Sequence, residues 1–192
     1  MEEYKKISRR QIDEMLSGVP LKLNRALSLA LVLGPTLFLA VVLFLYQDNL
    51  SSDVEVFPNV VDELIAVFLI FALTVYLMFS IFPKIFLKGN KLETQLNSPH
   101  TIEKIDPVIA IINLDRTMMI IRLAMIEGVT LFSLVILILC VNSGIIYYND
   151  NYWLLVLPLL FQMVITIQFV SLEKTISRIE RDILFRIKNE NY

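Results

Sequence analysis

Glu127 is the residue of this sequence whose type and position most need a chemical explanation. It lies in an otherwise apolar run, residues 118–141, with Arg122 towards one end. An ionised carboxylate in hydrocarbon costs on the order of 2.5–3.5 kcal/mol on insertion scales. Its side chain must therefore face protein or water, be paired, or carry a proton. Arg122 lies about 140° away around the same helix and about 7–8 Å along it, which makes it a poor partner; its long stem reaches the interface instead. Thr130, one turn further on, can donate to the carboxylate. Gln162 and Thr166, themselves one turn apart in another apolar run, offer further hydrogen bonds, as does Arg25 from the first run. Glu127 with Thr130, Gln162 and Thr166 therefore reads in two ways. It is either a proton- or cation-binding carboxylate or a hydrogen-bonded packing residue that fixes helix register.

Other chemistry is poorly provided for. Cys140 is the single cysteine and His100 the single histidine, so an intrachain disulfide is impossible and a tetrahedral zinc site lacks its usual ligands. No histidine lies in an apolar run to serve a serine protease or a haem, and no phosphate loop or dinucleotide fingerprint is present. The net charge of −2 offers no basic face for nucleic acid. The expectation is no enzyme, no metal, no cofactor and no nucleic-acid partner. Cys140 reads as a small apolar filler.

Apolar residues make up 56% of the 192 positions and mean hydropathy is +0.67. Four runs, about 26–46, 64–83, 117–141 and 153–172, approach or exceed the roughly 20 residues needed to cross about 30 Å of hydrocarbon. They predict an all-α polytopic membrane protein, one four-helix membrane domain over residues 1–192. The first run is too long for a signal-peptide core, and no small-x-small cleavage site follows it.

All 17 lysines and arginines fall in or beside residues 1–25, 84–116 and 173–192, with Arg122 in the first turns of the third run. Residues 47–63 and 142–152 have none and carry Asp48, Asp53, Glu55, Asp62, Glu63 and Asp150. The positive-inside rule then places both termini in the cytoplasm and the chain in the cytoplasmic (inner) membrane, with 47–63 and 142–152 as outer loops. Tyr147, Tyr148, Tyr152 and Trp153 suit an interfacial aromatic belt there.

The spacing predicts a helix over residues 2–17, ended by Gly18 and Pro20. It predicts a second helix continuing from the fourth run, with Ile176, Ile179, Ile183 and Ile187 on one face and Glu173, Lys174, Arg178, Glu180, Arg181 and Asp182 on the other. Both amphipathic pieces are expected to cover the bundle end or lie at the headgroups, with partner binding as the alternative. Asp106-Pro107 predicts a helix start that runs on into the third span, and Ser98-Pro99 a short helix near Ile102.

Shifted by 94 positions, Ala30-Leu-Val-Leu-Gly34-Pro-Thr-Leu-Phe overlies Ala124-Met-Ile-Glu-Gly128-Val-Thr-Leu-Phe, and Lys22 overlies Arg116. The chain reads as a tandem duplication of a two-helix hairpin. Ala26, Ala30 and Gly34, with Ala124 and Gly128, form small-residue stripes. Such stripes let helices approach closely, either within the chain or against a neighbouring subunit.

Residues 116–128 resemble the carboxylate-bearing helix of rotary ATPase c subunits. That resemblance implies an ion-carrying role for Glu127, although the glycine-rich partner helix of that family is absent. As a whole the chain resembles small uncharacterised bacterial four-helix integral membrane proteins, a likeness that implies no activity. Two functions follow as expectations. The first is a scaffold or interaction protein that binds itself or other membrane proteins. The alternative is an oligomeric proton- or cation-coupled transport protein working through Glu127.

Overall fold

The computed structural model describes residues 2–48, 58–87 and 106–189. Its helices start where a side chain or a proline deals with the unpaired first amides. α1 is Glu2–Lys5 and α2 is Arg9–Leu16. The break between them is set by Ser8. Its hydroxyl accepts from the Gln11 amide, and the Gln11 side chain accepts from the Ser8 amide at 2.9 Å, a capping box. The single helix expected over 2–17 is thus two helices. Pro20 opens the next helix: α3 runs Val19–Asp48, with Pro20 in its first turn, where a missing N–H costs nothing.

α4 is Pro58–Phe86 and takes in Asp62 and Glu63, which the sequence had placed in a loop. α5, Pro107–Asn142, starts as Asp106-Pro107 predicts, with Asp106 Oδ1 accepting from the Val108 amide at 2.8 Å. Its 36 residues continue unbroken into the third apolar run, and at 1.5 Å per residue they outrun the hydrocarbon thickness. Gly144, at φ 69°, supplies the left-handed residue that ends this helix. Short 3₁₀ turns over Ile145–Tyr147 and Asp150–Val156 lead to α6, Leu157–Val170.

The tail helix is separate from α6. Ser171 is extended, and the Thr175 hydroxyl, lying between the Ser171 and Phe169 carbonyls at 2.9 and 3.3 Å, competes with the backbone ladder there. α7, Leu172–Ile179, then passes through a π-helical turn, Glu180–Leu184, into α8, Phe185–Asn189. The predicted short helix near Ile102, together with His100, lies outside the described residues.

No strand occurs among the described residues, and four helical stretches are long and apolar enough to cross a membrane: Pro20–Asp48, Val60–Phe86, Pro107–Asn142 and Asp150–Val170. This is the architecture of a multi-pass membrane protein.

Two compact units are formed. The first comprises residues 1–28, 80–122 and 166–192. Its core joins Ile12 and Leu16 of α2 to Ile111 and Ile112 of α5 and to Ile176, Ile179, Ile183 and Ile187, all buried. Each isoleucine removed from water contributes about 1.5–3 kcal/mol, so the two terminal amphipathic segments are integral to this unit. Every described lysine and arginine belongs to it.

The second unit comprises residues 29–79 and 123–165. Val42, Phe68, Leu134, Leu137 and the fully buried Cys140 belong to its core. Leu33, Leu37 and Val41 on α3, and Leu69, Ile70 and Leu73 on α4, point outwards, as suits surfaces facing lipid. At one end Tyr46 stacks on Tyr147 at 5.0 Å and meets Trp153 edge-on at 5.3 Å, and the Tyr147 hydroxyl donates to the Tyr46 carbonyl at 2.8 Å.

Candidate functional site

Glu127 is held on α5 in the second unit, half-buried, and its carboxylate lies beside Gly34 of α3. A Cβ on Gly34 would lie 3.6 Å from Glu127 Oε1. A methyl group there would make an ordinary van der Waals contact with the carboxylate. Gly128, the next residue, has nothing within 4 Å of its Cβ position.

Thr130, Gln162 and Arg25, proposed to partner Glu127, are hydrogen-bonded elsewhere. Thr130 is fully buried, and its hydroxyl donates to the Ile126 carbonyl at 3.0 Å, within its own helix. Gln162 is also fully buried, and its Nε2 donates to the Leu31 carbonyl at 2.9 Å. Leu31 precedes Pro35 by four residues. Because proline has no amide hydrogen, the helical acceptor at Leu31 is vacated. Gln162 fills that vacancy, which ties α6 to α3. The remaining oxygen, Gln162 Oε1, has no hydrogen-bond partner among the described residues. Thr166 lies in the first unit, 5% exposed, with its hydroxyl likewise unpartnered among the described residues. Arg25 is exposed, and its Nε donates to the Val170 carbonyl at 3.3 Å. Within the second unit, the Thr130 hydroxyl and the Gln162 amide thus bond backbone carbonyls.

The small-residue stripes lie on the surface. Ala26, Ala30, Gly34, Ala124 and Gly128 are all exposed. The buried side of α3 follows Pro35 and Val42 in the second unit and Leu21, Asn24 and Ser28 in the first. These positions are open on one side, and Gly34 also meets Glu127 of α5. Larger side chains and polar groups make further contacts. In the first unit the Arg116 Nε donates to Asn24 Oδ1 at 2.8 Å, and the Ser28 hydroxyl donates to Met119 Sδ at 3.7 Å.

One cluster was missed from the sequence. Arg178, placed there on the charged face of the tail helix, is 8% exposed and pairs with Asp115 of α5, 1% exposed, through two bonds of 2.8 and 2.7 Å. Its guanidinium also lies 4.5 Å from the Phe169 ring centre, with that of Arg122 at 5.5 Å. Arg122 thus rests on an aromatic face in the first unit. A signal was available: Arg178 stands three residues after Thr175, so the two share a face of the tail helix. Near it, the carboxylate of Asp182 bonds Arg181 and raises the Arg181 pKa further above its usual value.

No family model, curated protein or solved structure matches this chain.

Proposed function

We propose that this chain is an interaction protein of a membrane assembly, and that the exposed seam of α3 and α5 in the second unit receives a transmembrane helix of another subunit. The observation that carries this reading is the exposure of Ala30, Gly34, Ala124 and Gly128 beside the Glu127 carboxylate. Small residues allow close backbone approach, and lipid cannot satisfy a carboxylate, so a helix bearing a hydrogen-bond donor gains from both features. In this reading Glu127 selects the partner and is not a transported-ion site.

The cytoplasmic placement of both termini, in an inner membrane, belongs to the same proposal. It is supported by the gathering of every described cation in the first unit and by the positive-inside rule. The reading of α3–α4 and α5–α6 as duplicated hairpins rests on the shared Gly-x-Thr-Leu-Phe of residues 34–38 and 128–132.

The test is Gly128→Leu in the full chain. Its Cβ meets open space, and leucine is a better helix former than glycine, so the fold is expected to persist while assembly is lost. Cysteine placed at Ala124 and crosslinked in native membranes reads the outcome. The adduct, identified by mass, should vanish in the Gly128→Leu background. An unchanged adduct overturns the reading, as does proton-coupled solute movement abolished by Glu127→Gln with assembly intact.

A further inference from the structure

The second unit carries a cleft lined by none of the seam residues above. It lies between α4 and the stretch from Asn151 to Phe161 and has a volume of about 570 Å³, within the range of about 300–1,000 Å³ that holds small ligands. Its walls are apolar, with Phe68, Leu69 and Ala72 on one side and Leu154, Leu155 and Pro158 on the other. From Ile65 to Tyr76 it follows α4 for about 16 Å. At the Tyr76 end, the Tyr76 and Phe161 rings meet edge to face at 5.1 Å. At the other end Asn151 and Tyr152 line it, and the Tyr152 hydroxyl donates to Asp62 Oδ1 at 3.3 Å.

A long apolar cleft with one polar end, walled by helices able to cross a membrane, has the form of a single lipid acyl chain with its headgroup at the rim. The charge at that rim specifies the headgroup. Asp62, bonded to the lining Tyr152, is exposed on an opening turn of α4, and Asp150 is exposed beside Asn151. The flanking segments, 47–63 and 142–152, contain no lysine or arginine. An anionic headgroup would meet like charge without a counter-cation, a repulsion that acts against the wrong ligand. A primary ammonium would be attracted and would donate hydrogen bonds to the carboxylate, charge-assisted bonds that a quaternary ammonium has no N–H to make. We infer that this cleft binds one acyl chain of a phosphatidylethanolamine, with its ammonium group against Asp62.

The experiment uses the full chain reconstituted in bilayer discs holding equal parts phosphatidylethanolamine, phosphatidylcholine and phosphatidylglycerol. Lipids that stay on the released protein are weighed by native mass spectrometry. Phosphatidylethanolamine is expected to be enriched severalfold. Ala72→Trp, which fills the cleft, should remove the retained lipid. Asp62→Asn, at an exposed position, should keep a lipid but abolish the headgroup preference, which maintains the test even if the tryptophan variant does not fold. Gly128→Leu should leave retention unchanged, separating this site from the partner seam. Equal retention of the three lipids, an undiminished preference in Asp62→Asn, wild-type retention in a folded Ala72→Trp, or a lipid-free dimer closed over this face would each overturn the inference.

Discussion

The side-chain amide of Gln162 donates to the carbonyl of Leu31 at 2.9 Å, and Leu31 stands four residues before Pro35. A proline inside a membrane helix leaves one acceptor without its amide, and hydrocarbon offers no replacement. The glutamine of another helix supplies one, so a local backbone defect in α3 becomes a specific tie to α6.

If that is what Gln162 does, its removal matters only while Pro35 is present. Gln162→Leu should cost ~1 kcal/mol, the scale of side-chain hydrogen bonds between membrane helices. In a Pro35→Ala background, where residue 35 regains an amide, the cost should fall towards zero. Reversible unfolding in mixed micelles measures the cycle. Equal costs in both backgrounds would show that the two residues act independently.

The Asp115–Arg178 pair should respond as a buried bidentate contact does. Either Asp115→Asn or Arg178→Ala leaves a buried group without its partner, and about 3–5 kcal/mol is expected for such a loss. Arg178→Lys should also be destabilising, because one ammonium cannot reproduce the planar fork. Joint replacement by leucine and methionine should cost less than either single loss. Thermal unfolding of the four variants decides it; a double variant weaker than both singles would refute the account.

At the amino-terminal end, Ser8→Ala should destabilise α2 by ~1 kcal/mol through loss of its cap, and Gln11→Ala should act in the same direction. Amide hydrogen exchange across residues 9–16 reports it. Because Ile12 and Leu16 are fully buried with the tail isoleucines, faster exchange should also spread to residues 176–187. Truncating 173–192 removes core from the first unit and is a poor probe of partner binding.

Trp153 is the single tryptophan, set beside Tyr46 at an end of the second unit. Its fluorescence should be quenched more by lipids brominated near the carbonyls than by lipids brominated near the chain ends, the depth favoured by interfacial aromatics. Cysteines at exposed Asn149 and exposed Arg10 should react with impermeant reagents from opposite sides of the membrane. Labelling of both from one side would contradict the threading.

The spans were legible in the sequence because length and absence of charge are one-dimensional properties. So was the start of α5, since Asp106-Pro107 acts within its own turn. The breaks at Ser8 and Ser171 were harder. The first was signalled by Ser8 and Gln11 three residues apart, but the second depends on a single threonine hydroxyl reaching back. The candidate site was least legible. Glu127 was found by its rarity, yet which partner each polar group takes depends on how helices rotate against one another. Thr130 turned to its own backbone, and Gln162 answered a vacancy on α3 that Pro35 had announced in the sequence. Arg178 looked solvated because charged residues crowd the stretch 173–182, while its neighbours in space are Asp115 and Phe169.

The segregation of charge has an electrical consequence. Every described lysine and arginine lies in the first unit, and the described ionisable carboxylates of the second are Asp48, Asp62, Glu63, Glu127 and Asp150. Across a membrane energised to 100 mV, each elementary charge carried through the field changes its energy by about 2.3 kcal/mol. If the chain is threaded as proposed, with its lysines and arginines on the cytoplasmic side, turning it over would move those cations towards the positive face, which is uphill. Under that proposed threading, the voltage of an energised membrane would itself oppose inversion of the chain.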